Sequence, residues 1–157
     1  MKYQDWLEEV PVAIRQDALW RMELYRAALF IGDLAWYDSR KLIQDRTLTS
    51  LADQLYRAVG SISANISEGY SRSSGKDQAR FYEYALGSAR EARDWYYKSR
   101  HVLTEMVTNH RLEILASITR QLLSLIQKQR SPYLKEEQTP YETKILFNLL
   151  DEVPMAE

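Results

Sequence analysis

The sequence predicts an all-α protein, an antiparallel up-down four-helix bundle with a short extra C-terminal helix. Three observations support this fold class. Only five glycines and four prolines interrupt 157 residues. Apolar residues recur at steps of three and four in four long segments, which is the period of an amphipathic helix. Short links join these segments, and short links favour antiparallel neighbours within one bundle.

The first long helix is predicted at about residues 12–38, after a short turn near Asp5 that ends at Pro11. A glycine in the middle of a helix costs up to ~1 kcal/mol relative to alanine. Gly32 therefore indicates a close approach of another helix. We expect the inward stripe of this helix to consist of Ala18, Met22, Tyr25, Leu29, Gly32 and Trp36.

The second helix, Leu51 to Arg72, is the stretch around which the rest is organised. Thr49 or Ser50 can cap it by accepting hydrogen bonds from its free N–H groups, with Asp53 in the first turn. The side of this helix that faces its neighbours carries an amide, with a hydroxyl and a carboxylate beside it. Burial of apolar side chains at these positions would cost less free energy than burial of these polar groups. The stripe comprises Leu51, Leu55, Ala58, Ile62, Asn65 and Gly69, widened by Ala52, Val59 and Ile66 on one side and by Ser61 and Glu68 on the other.

The third helix is predicted at about residues 76–106, after a break at Ser71 to Gly75 in which Ser74 or Gly75 caps the new helix. Its apolar stripe comprises Phe81, Ala85, Ser88, Ala92, Trp95, Ser99, Val102 and Met106, with Tyr82, Ala89, Tyr96 and Leu103 alongside. Small and large residues alternate there, as interdigitating helices require. The fourth helix is predicted at about residues 110–130, with Leu112, Leu115, Ile118, Leu122 and Leu125 inward.

The pattern divides the chain into a bundle domain, residues 1–130, and an acidic tail, residues 131–157. Thr139 to Glu142 form a capping-box sequence with Pro140 at the first helical position. They introduce a short amphipathic helix at about 140–152 that is marginal alone and must dock. Its docking place is its own bundle, a neighbouring subunit or a partner, and docking within a homo-oligomer is favoured.

Composition and charge restrict the class of protein. The net charge is −1, but residues 70–135 carry twelve basic and six acidic residues, and residues 136–157 carry one and six. There is no cysteine, so disulfides and thiolate metal sites are excluded and a reducing cytoplasm fits. The acidic N-terminus is unlike a signal peptide, and no apolar run reaches the roughly 20 residues that span a bilayer. We expect a cytoplasmic protein without membrane contact.

Polar and small residues at the helix seams allow two interpretations. Glu68 and Glu91 could act as a carboxylate pair in acid–base catalysis. The structural interpretation is favoured, because a buried hydrogen-bond network can select one arrangement of helices. We expect this network to contain Ser61, Asn65, Glu68, Ser88 and Glu91, and the helix-packing glycines to be Gly32, Gly69 and Gly87.

The sequence favours no metal and no cofactor. A di-iron site in a helical bundle needs two Glu-x-x-His motifs. Neither His101 nor His110 has a glutamate three residues before it. The segment from Gly69 to Lys76 only superficially matches a phosphate loop, because its spacing is wrong and a helix precedes it where a strand is needed.

The third helix also carries a basic face with aromatic residues. Such a face could follow phosphates and stack bases, although a solvated surface with interspersed acidic residues is the plainer interpretation for one monomer. Repetition of the face in an oligomer would strengthen its field. The candidate nucleic-acid-binding residues are Arg80, Arg90, Arg93, Tyr97, Lys98 and Arg100.

Residues 56–70 resemble the R-A-x-x-S-I-x-x-N-I-x-E-G signature of the bacterial four helix bundle protein family, first met as reading frames in intervening sequences of 23S ribosomal RNA genes. Residues 85–91 resemble its A-L-G-S-x-x-E element, and the resemblance covers roughly residues 15–130. It implies an antiparallel bundle assembled as a homopentamer without known catalysis. Ser63 stands where many members have proline, and the acidic tail lies outside the family pattern.

The family is distantly similar to the accessory variability determinants of diversity-generating retroelements. These relatives imply contact with a reverse transcriptase and with nucleic acid through a basic surface. Three hypotheses follow for function. The first is a non-enzymatic homo-oligomeric scaffold or accessory protein. The second is an RNA- or DNA-binding accessory module, and the third, which is disfavoured, is an enzyme that uses Glu68 and Glu91.

Overall fold

A computed structural model of the chain describes residues 2–130, 150, 151 and 153–156, and within these ranges the secondary structure is helical, without a strand. The all-α prediction is therefore confirmed for the described residues. The α-helices are α1 (Tyr3–Glu9), α2 (Val12–Arg15), α3 (Glu23–Leu42), α4 (Thr49–Tyr70), α5 (Gly75–Ser99) and α6 (Glu105–Arg130), with 3₁₀ turns at Ala18–Arg21 and Arg46–Leu48.

The first long helix starts later than predicted. The Asp17 carboxylate accepts a hydrogen bond from the Leu19 amide and caps a 3₁₀ turn. Met22 then adopts an extended backbone, φ −80° and ψ 110°, so a continuous helix is possible only from Glu23. The prediction of one helix over 12–38 is wrong for its N-terminal part, because a local side-chain cap competes there with helical hydrogen bonding.

The starts of α5 and α6 also follow local caps, whereas α4 begins after Leu48 without a side-chain cap, so the predicted cap at Thr49 or Ser50 is wrong. Ser74 caps α5 by accepting a hydrogen bond from the Asp77 amide, as one of the two predicted alternatives requires. The predicted third helix extends beyond the observed end of α5. The hydroxyl of Thr104 accepts from the Val107 amide at 3.3 Å, and α6 begins there, five residues before the predicted start.

The four long helices surround a common core. α3 packs against α4, α4 against α5, α5 against α6, and α6 also contacts α3. The apolar stripe predicted for α4 faces this core, because its large and small residues alternate at helical spacing. Its buried residues are Ala52, Leu55, Ala58, Val59, Ile62, Ile66 and Gly69.

The face that α3 turns inward differs from the prediction. The predicted stripe includes Trp36, whose exposed fraction is 49%. α3 carries apolar residues on two sides, and the side with branched residues and alanines packs in the bundle because its small residues allow close approach. The buried residues of α3 are Leu24, Ala27, Ala28, Phe30, Ile31, Leu34, Ala35, Asp38 and Leu42.

Both ends of the described chain pack on this bundle. The rings of Tyr3 and Trp6 lie edge-on to Phe30, at 5.0 and 5.1 Å between centroids. Leu150 is fully buried in the same core, and Val153 is partly buried against it, as are Met155 and Ala156. Most of the helix predicted at about 140–152 lies outside the described residues. The part that is described lies on its own bundle, which was one of the three docking places left open.

Candidate functional site

The α4–α5 seam brings together three of the residues predicted to form a polar network. The side-chain amide of Asn65 donates to the carbonyl of Ser61 at 2.8 Å and lies 3.0 Å from its hydroxyl. The Ser88 hydroxyl lies 3.0 Å from the Ser61 hydroxyl and 3.0 Å from the carbonyl of Tyr84. All three network residues are half-buried. They connect α4 to α5 with directional bonds, which depend on the register between the two helices.

The two carboxylates predicted for this network lie outside it. Glu68 is exposed and pairs with Arg72. Glu91 is exposed, and its carboxylate accepts from the indole N–H of Trp95 at 3.2 Å. Each carboxylate thus has a partner four residues later in the sequence, which is a spacing that brings side chains together along a helix. The expectation of a buried five-residue network is corrected accordingly.

One of the three predicted packing glycines lies at a close helix contact. A Cβ atom on Gly69 would lie 2.7 Å from Cε1 of Tyr82 and 3.1 Å from Cβ of Phe81, so α5 crosses α4 closely there. Gly32 and Gly87 differ from the prediction, since a Cβ atom on either would meet nothing within 4 Å. Both face open space in the single chain.

A shallow groove of about 400 Å³ runs along the outside of the α4–α5 seam. Its lining combines small residues with polar and charged side chains, among them Glu91. Arg57 is paired with Asp53 at 3.8 Å. The lining residues are Gln54, Arg57, Ala58, Gly60, Ser61, Ala64 and Glu91.

An exposed group of large side chains lies on the α3–α4 face, and we name Trp36, Arg40 and Tyr56 the aromatic ridge. The exposed fractions of Trp36 and Tyr56 are 49% and 44%. Their rings lie 6.0 Å apart, and the Arg40 guanidinium lies 6.0 Å from the Trp36 ring. Exposed tryptophan, tyrosine and arginine in one cluster are the residue types that dominate binding energy at protein interfaces.

Two cations of the predicted basic face are neutralised by neighbours on α5. Arg80 lies 3.7 Å from the carboxylate of Asp77, and Lys98 donates to Asp94 at 2.6 Å. Both pairs are exposed and helical in spacing, so they hold surface structure only weakly. These two residues contribute less positive field than the sequence pattern indicates.

The remaining four residues of that face are exposed, and no carboxylate of a described residue neutralises their charges. The guanidinium of Arg100 lies 4.0 Å from the centre of the Tyr97 ring and donates to the Tyr97 carbonyl. Arg90 and Arg93 are exposed and have no carboxylate partner among the described residues. Arg90, Arg93, Tyr97 and Arg100 form the part of the face best suited to bind phosphates.

A buried charged cluster, which was not predicted, joins α3, α5 and α6. The guanidinium of Arg111 donates to both oxygens of Asp38, at 2.8 and 3.1 Å. The Tyr96 hydroxyl donates to Asp38 at 2.9 Å, and Arg111 also lies 2.8 Å from Nδ1 of His110. The one signal in the sequence is the position of Asp38, four residues before Leu42 on the buried stripe of α3.

This buried cluster is suited to a structural role. Burial, reinforced by the neighbouring Asp38 carboxylate, raises the pKa of Tyr96 well above its usual value, and Arg111 opposes this only in part. Asp38, Tyr96 and Arg111 are fully buried, so solvent and substrates do not reach them. Among the described residues no group of three or more histidine, aspartate or glutamate side chains could hold a metal ion.

The geometry defines a class of protein, an all-α helical bundle with a directional polar seam between two helices and an exposed aromatic surface beside it. The family described as 23S rRNA-intervening sequence protein matches residues 32–128, more than half of the sequence, and the chain belongs to this family. The resemblance noted from the α4 and α5 motifs is thereby confirmed. Comparisons with curated proteins and with solved structures found no significant match.

The matched region begins in α3 and ends near the end of α6, so it covers most of the bundle and excludes α1 and the acidic tail. Within the ranges that the structure describes, no helix is both long enough and apolar enough to cross a membrane.

Proposed function

We propose that the protein is a non-enzymatic, homo-oligomeric helical scaffold or accessory protein. The observation that carries this proposal is the aromatic ridge, because α3 has apolar residues on two sides and only one side packs in its own bundle. Exposed apolar clusters on a protein surface mark sites of association. The resemblance to the family implies five copies.

The proposal includes an antiparallel arrangement of consecutive long helices. Gly69, near the end of α4, lies against Tyr82 in the first half of α5. Gly75, at the start of α5, lies beside the backbone of Gln129 at the end of α6. Contacts between the end of one helix and the beginning of the next support an up-down bundle.

Sedimentation velocity of the full chain at micromolar concentration tests self-association. The expected result is a single assembly larger than the monomer of 18.5 kDa. Assembly that weakens with dilution and leaves the helical content unchanged would support association of folded bundles. A chain that stays monomeric at these concentrations would overturn the proposal.

A second candidate, an RNA- or DNA-binding accessory function, is favoured by Arg90, Arg93 and the stacked Arg100–Tyr97 pair. Binding to phosphates releases counterions, so the logarithm of affinity should fall linearly with the logarithm of salt concentration. Arg93→Glu and Arg100→Glu should weaken binding uniformly across sequences. Arg120→Glu, on the exposed surface of α6, is the matched control. Binding that is insensitive to salt would contradict this candidate.

A reverse transcriptase partner belongs to the same candidate. It is supported only by the distant similarity of the family to retroelement accessory proteins. Co-purification of a reverse transcriptase with the wild-type chain, and loss of that enzyme with Arg93→Glu, is the expected result. Retention with Arg93→Glu and Arg100→Glu would show that the basic face does not bind it.

The enzyme hypothesis is the weakest of the three, because the two carboxylates have separate partners. Glu91, on α5, lies on the groove, whereas Glu68, on α4, pairs with Arg72 just after the end of its own helix. An enzyme would lose turnover in Glu68→Gln and in Glu91→Gln while the assembly persists. We expect both variants to fold normally, and a turnover that depends on either carboxylate would contradict the scaffold proposal.

A further inference from the structure

A pocket of about 410 Å³ lies where α3 ends, and the described end of the acidic tail forms one side of it. We name it the α3-end pocket, and its lining residues are Tyr37, Arg40, Lys41, Ile43, Gln44 and Ala156. We propose that the α3-end pocket binds a small organic phosphate, which carries a dianionic phosphate group on an apolar body. Binding of this ligand is a function in addition to the proposed scaffold and requires no self-association.

Every charged side chain that lines the α3-end pocket is a cation. Arg40 is exposed, and Lys41 is half-buried. Neither forms a salt bridge with a carboxylate in the part of the chain that the structure describes. Two positive charges beside one cavity attract an anion, and they attract a dianion more strongly than a monoanion.

The acidic residues that precede and follow these cations in sequence have other partners. Asp38 is fully buried and accepts hydrogen bonds from Arg111. The Asp45 carboxylate accepts hydrogen bonds from the amide and the hydroxyl of Thr47, at 2.9 and 2.7 Å. Neither carboxylate lines the pocket. The two cations are therefore available to an external anion.

The other polar groups of the pocket also suit a phosphate. Cations are common in the last turn of a helix because they complement its dipole, so their charge alone does not define a site. Here the Tyr37 hydroxyl and the Gln44 amide add two neutral hydrogen-bond donors beside the same cavity. A guanidinium binds two phosphate oxygens with its planar fork, and an ammonium acts as a compact point charge.

Size and apolar surface indicate that the ligand is larger than phosphate itself. The pocket volume lies within the roughly 300–1,000 Å³ that is typical of small-molecule sites. Tyr37 and Ile43 line it with exposed fractions of 43% and 50%. An aromatic or aliphatic group attached to the phosphate can cover this apolar surface and gain free energy from its removal from water.

The α4–α5 groove has a similar volume but a different charge. Glu91 lines it, and its cation Arg57 is paired with Asp53 at 3.8 Å. An anion in that groove would meet a carboxylate and a guanidinium that is already partly neutralised. Of these two cavities, the α3-end pocket is therefore the one whose charges fit an anion.

The acidic tail contributes a wall that lies outside the family pattern. Residues 37–44 lie within the matched region, residues 32–128, whereas Ala156 does not. Leu150 is fully buried in the core, and Met155 is partly buried against it, so apolar packing holds this stretch of the tail beside α3. The pocket is thus formed by the bundle together with the tail of this particular chain.

The first experiment measures binding of phenyl phosphate to the full chain by isothermal titration calorimetry. The buffer contains no phosphate and is held at pH 8, where the probe is a dianion because its second pKa is about 6. We expect binding that weakens as salt is added. Arg40→Gln and Lys41→Gln should each weaken it by about tenfold or more, the effect of losing one charged hydrogen-bond partner.

Two controls remove the same charges elsewhere. Arg120→Gln and Lys76→Gln change exposed residues of α6 and α5 that do not line the pocket. Both should bind phenyl phosphate like the wild type. Circular dichroism of all four variants checks that they fold, and equal weakening in the controls would overturn the site because it would reflect net charge alone.

The second experiment compares phenyl phosphate with benzoate, inorganic phosphate and phenol. Benzoate has one negative charge, inorganic phosphate lacks the apolar group, and phenol lacks the charge. Each should bind more weakly than phenyl phosphate, because the pocket offers two cations together with apolar surface. Benzoate that binds as tightly as phenyl phosphate would overturn the assignment to a dianion, and phenol that does so would overturn an anion site altogether.

The third experiment changes the charge of the wall that the tail supplies. Ala156→Glu places a carboxylate at the pocket, whereas Ala156→Gln adds a side chain of nearly the same size without charge. Phenyl phosphate should bind Ala156→Glu at least about tenfold more weakly than Ala156→Gln, because like charges repel at short distance. Equal affinities would show that the field of this pocket does not hold the probe and would overturn the proposal.

Sedimentation velocity of the same samples separates this site from the scaffold function. A chain that assembles but does not bind phenyl phosphate, or binds it equally well in Arg40→Gln and Lys41→Gln, overturns the phosphate site and leaves the scaffold proposal in place. A chain that stays monomeric and binds phenyl phosphate through Arg40 and Lys41 supports the site and overturns the scaffold proposal.

Discussion

The Asp38 carboxylate receives both bonds of a bidentate guanidinium pair from Arg111, and both side chains are fully buried. The pair joins α3 to α6, and the Tyr96 hydroxyl of α5 completes it at 2.9 Å. Three helices thus meet at one carboxylate. Since a buried charge is costly without its partner, this cluster restricts the bundle to arrangements in which all three helices are in place.

Removal of one partner of this pair should destabilise the bundle strongly. Asp38→Leu or Arg111→Met leaves the other charge buried and unpaired, and we expect each to lower the free energy of unfolding by about 3–5 kcal/mol. The double variant should cost less than the sum by at least ~1 kcal/mol, because it removes both charges. Urea unfolding followed by circular dichroism measures these values. Additive costs would show that the two side chains act independently.

Two buried tyrosines provide a matched test of hydrogen bonding. Tyr96→Phe removes a bond to a charged acceptor and should cost about 1.5–3 kcal/mol. The Tyr3 hydroxyl is buried beside the Arg26 guanidinium without a hydrogen bond of good geometry, so Tyr3→Phe should cost clearly less than Tyr96→Phe. Both substitutions remove one oxygen atom from a buried ring. Equal costs in chemical unfolding would argue against a special role for the Asp38 cluster.

The same tyrosines predict a loss of stability in alkali. An unfolded tyrosine ionises near its usual pKa of about 10, whereas burial raises the pKa of Tyr96 well above 10 and that of Tyr3 to about 12. Above pH 10 the unfolded state therefore binds fewer protons than the native state, and the free energy of unfolding falls as pH rises. Well below pH 10 the tyrosines are protonated in both states, so their contribution to the free energy of unfolding does not change with pH.

The alkaline prediction is tested by urea unfolding between pH 8 and pH 11.5. Tyr96→Phe should reduce the decline and leave part of it, because burial also raises the pKa of Tyr25 and Tyr82. A free energy of unfolding of the wild type that stays constant or increases through this range would contradict the predicted decline. A decline of equal size in Tyr96→Phe would assign it to the other tyrosines.

The sequence predicts α4 well and α3 poorly, and the difference has a physical cause. On α4, the large aliphatic residues such as Leu55 and Ile62 fall on one side, and the other side carries mostly polar and small residues, so one orientation buries far more apolar surface than any other. On α3, both the side with Ile31 and the side with Trp36 are apolar. Periodicity within one chain does not decide between two such sides, because the choice depends on packing with other helices.

The buried cluster was missed for a related reason. Charged residues are almost never fully buried unless they are paired, so a sequence pattern places Asp38 and Arg111 at the surface by default. They are 73 residues apart, and only the fold brings them together. The polar seam was found in part because Ser61, Asn65 and Ser88 are small enough to lie between packed helices.

The last prediction separates a glycine required by packing from one that is merely tolerated. Gly69→Ala would place a Cβ atom 2.7 Å from the Tyr82 ring and 3.1 Å from Phe81 Cβ, so the α4–α5 contact must open. Overpacking of this kind costs about 1–3 kcal/mol. Gly87→Ala meets nothing within 4 Å and should stabilise its helix by about 0.5–1 kcal/mol.

Thermal unfolding of the two glycine variants beside the wild type measures this difference. We expect a lower Tm for Gly69→Ala and a higher Tm for Gly87→Ala, with unchanged helical content in both. In a Tyr82→Leu background, Gly69→Ala should cost less stability than it does in the wild type, because the contact with the Tyr82 ring is gone. A Gly69→Ala chain as stable as the wild type would show that α4 and α5 do not approach each other closely at this position.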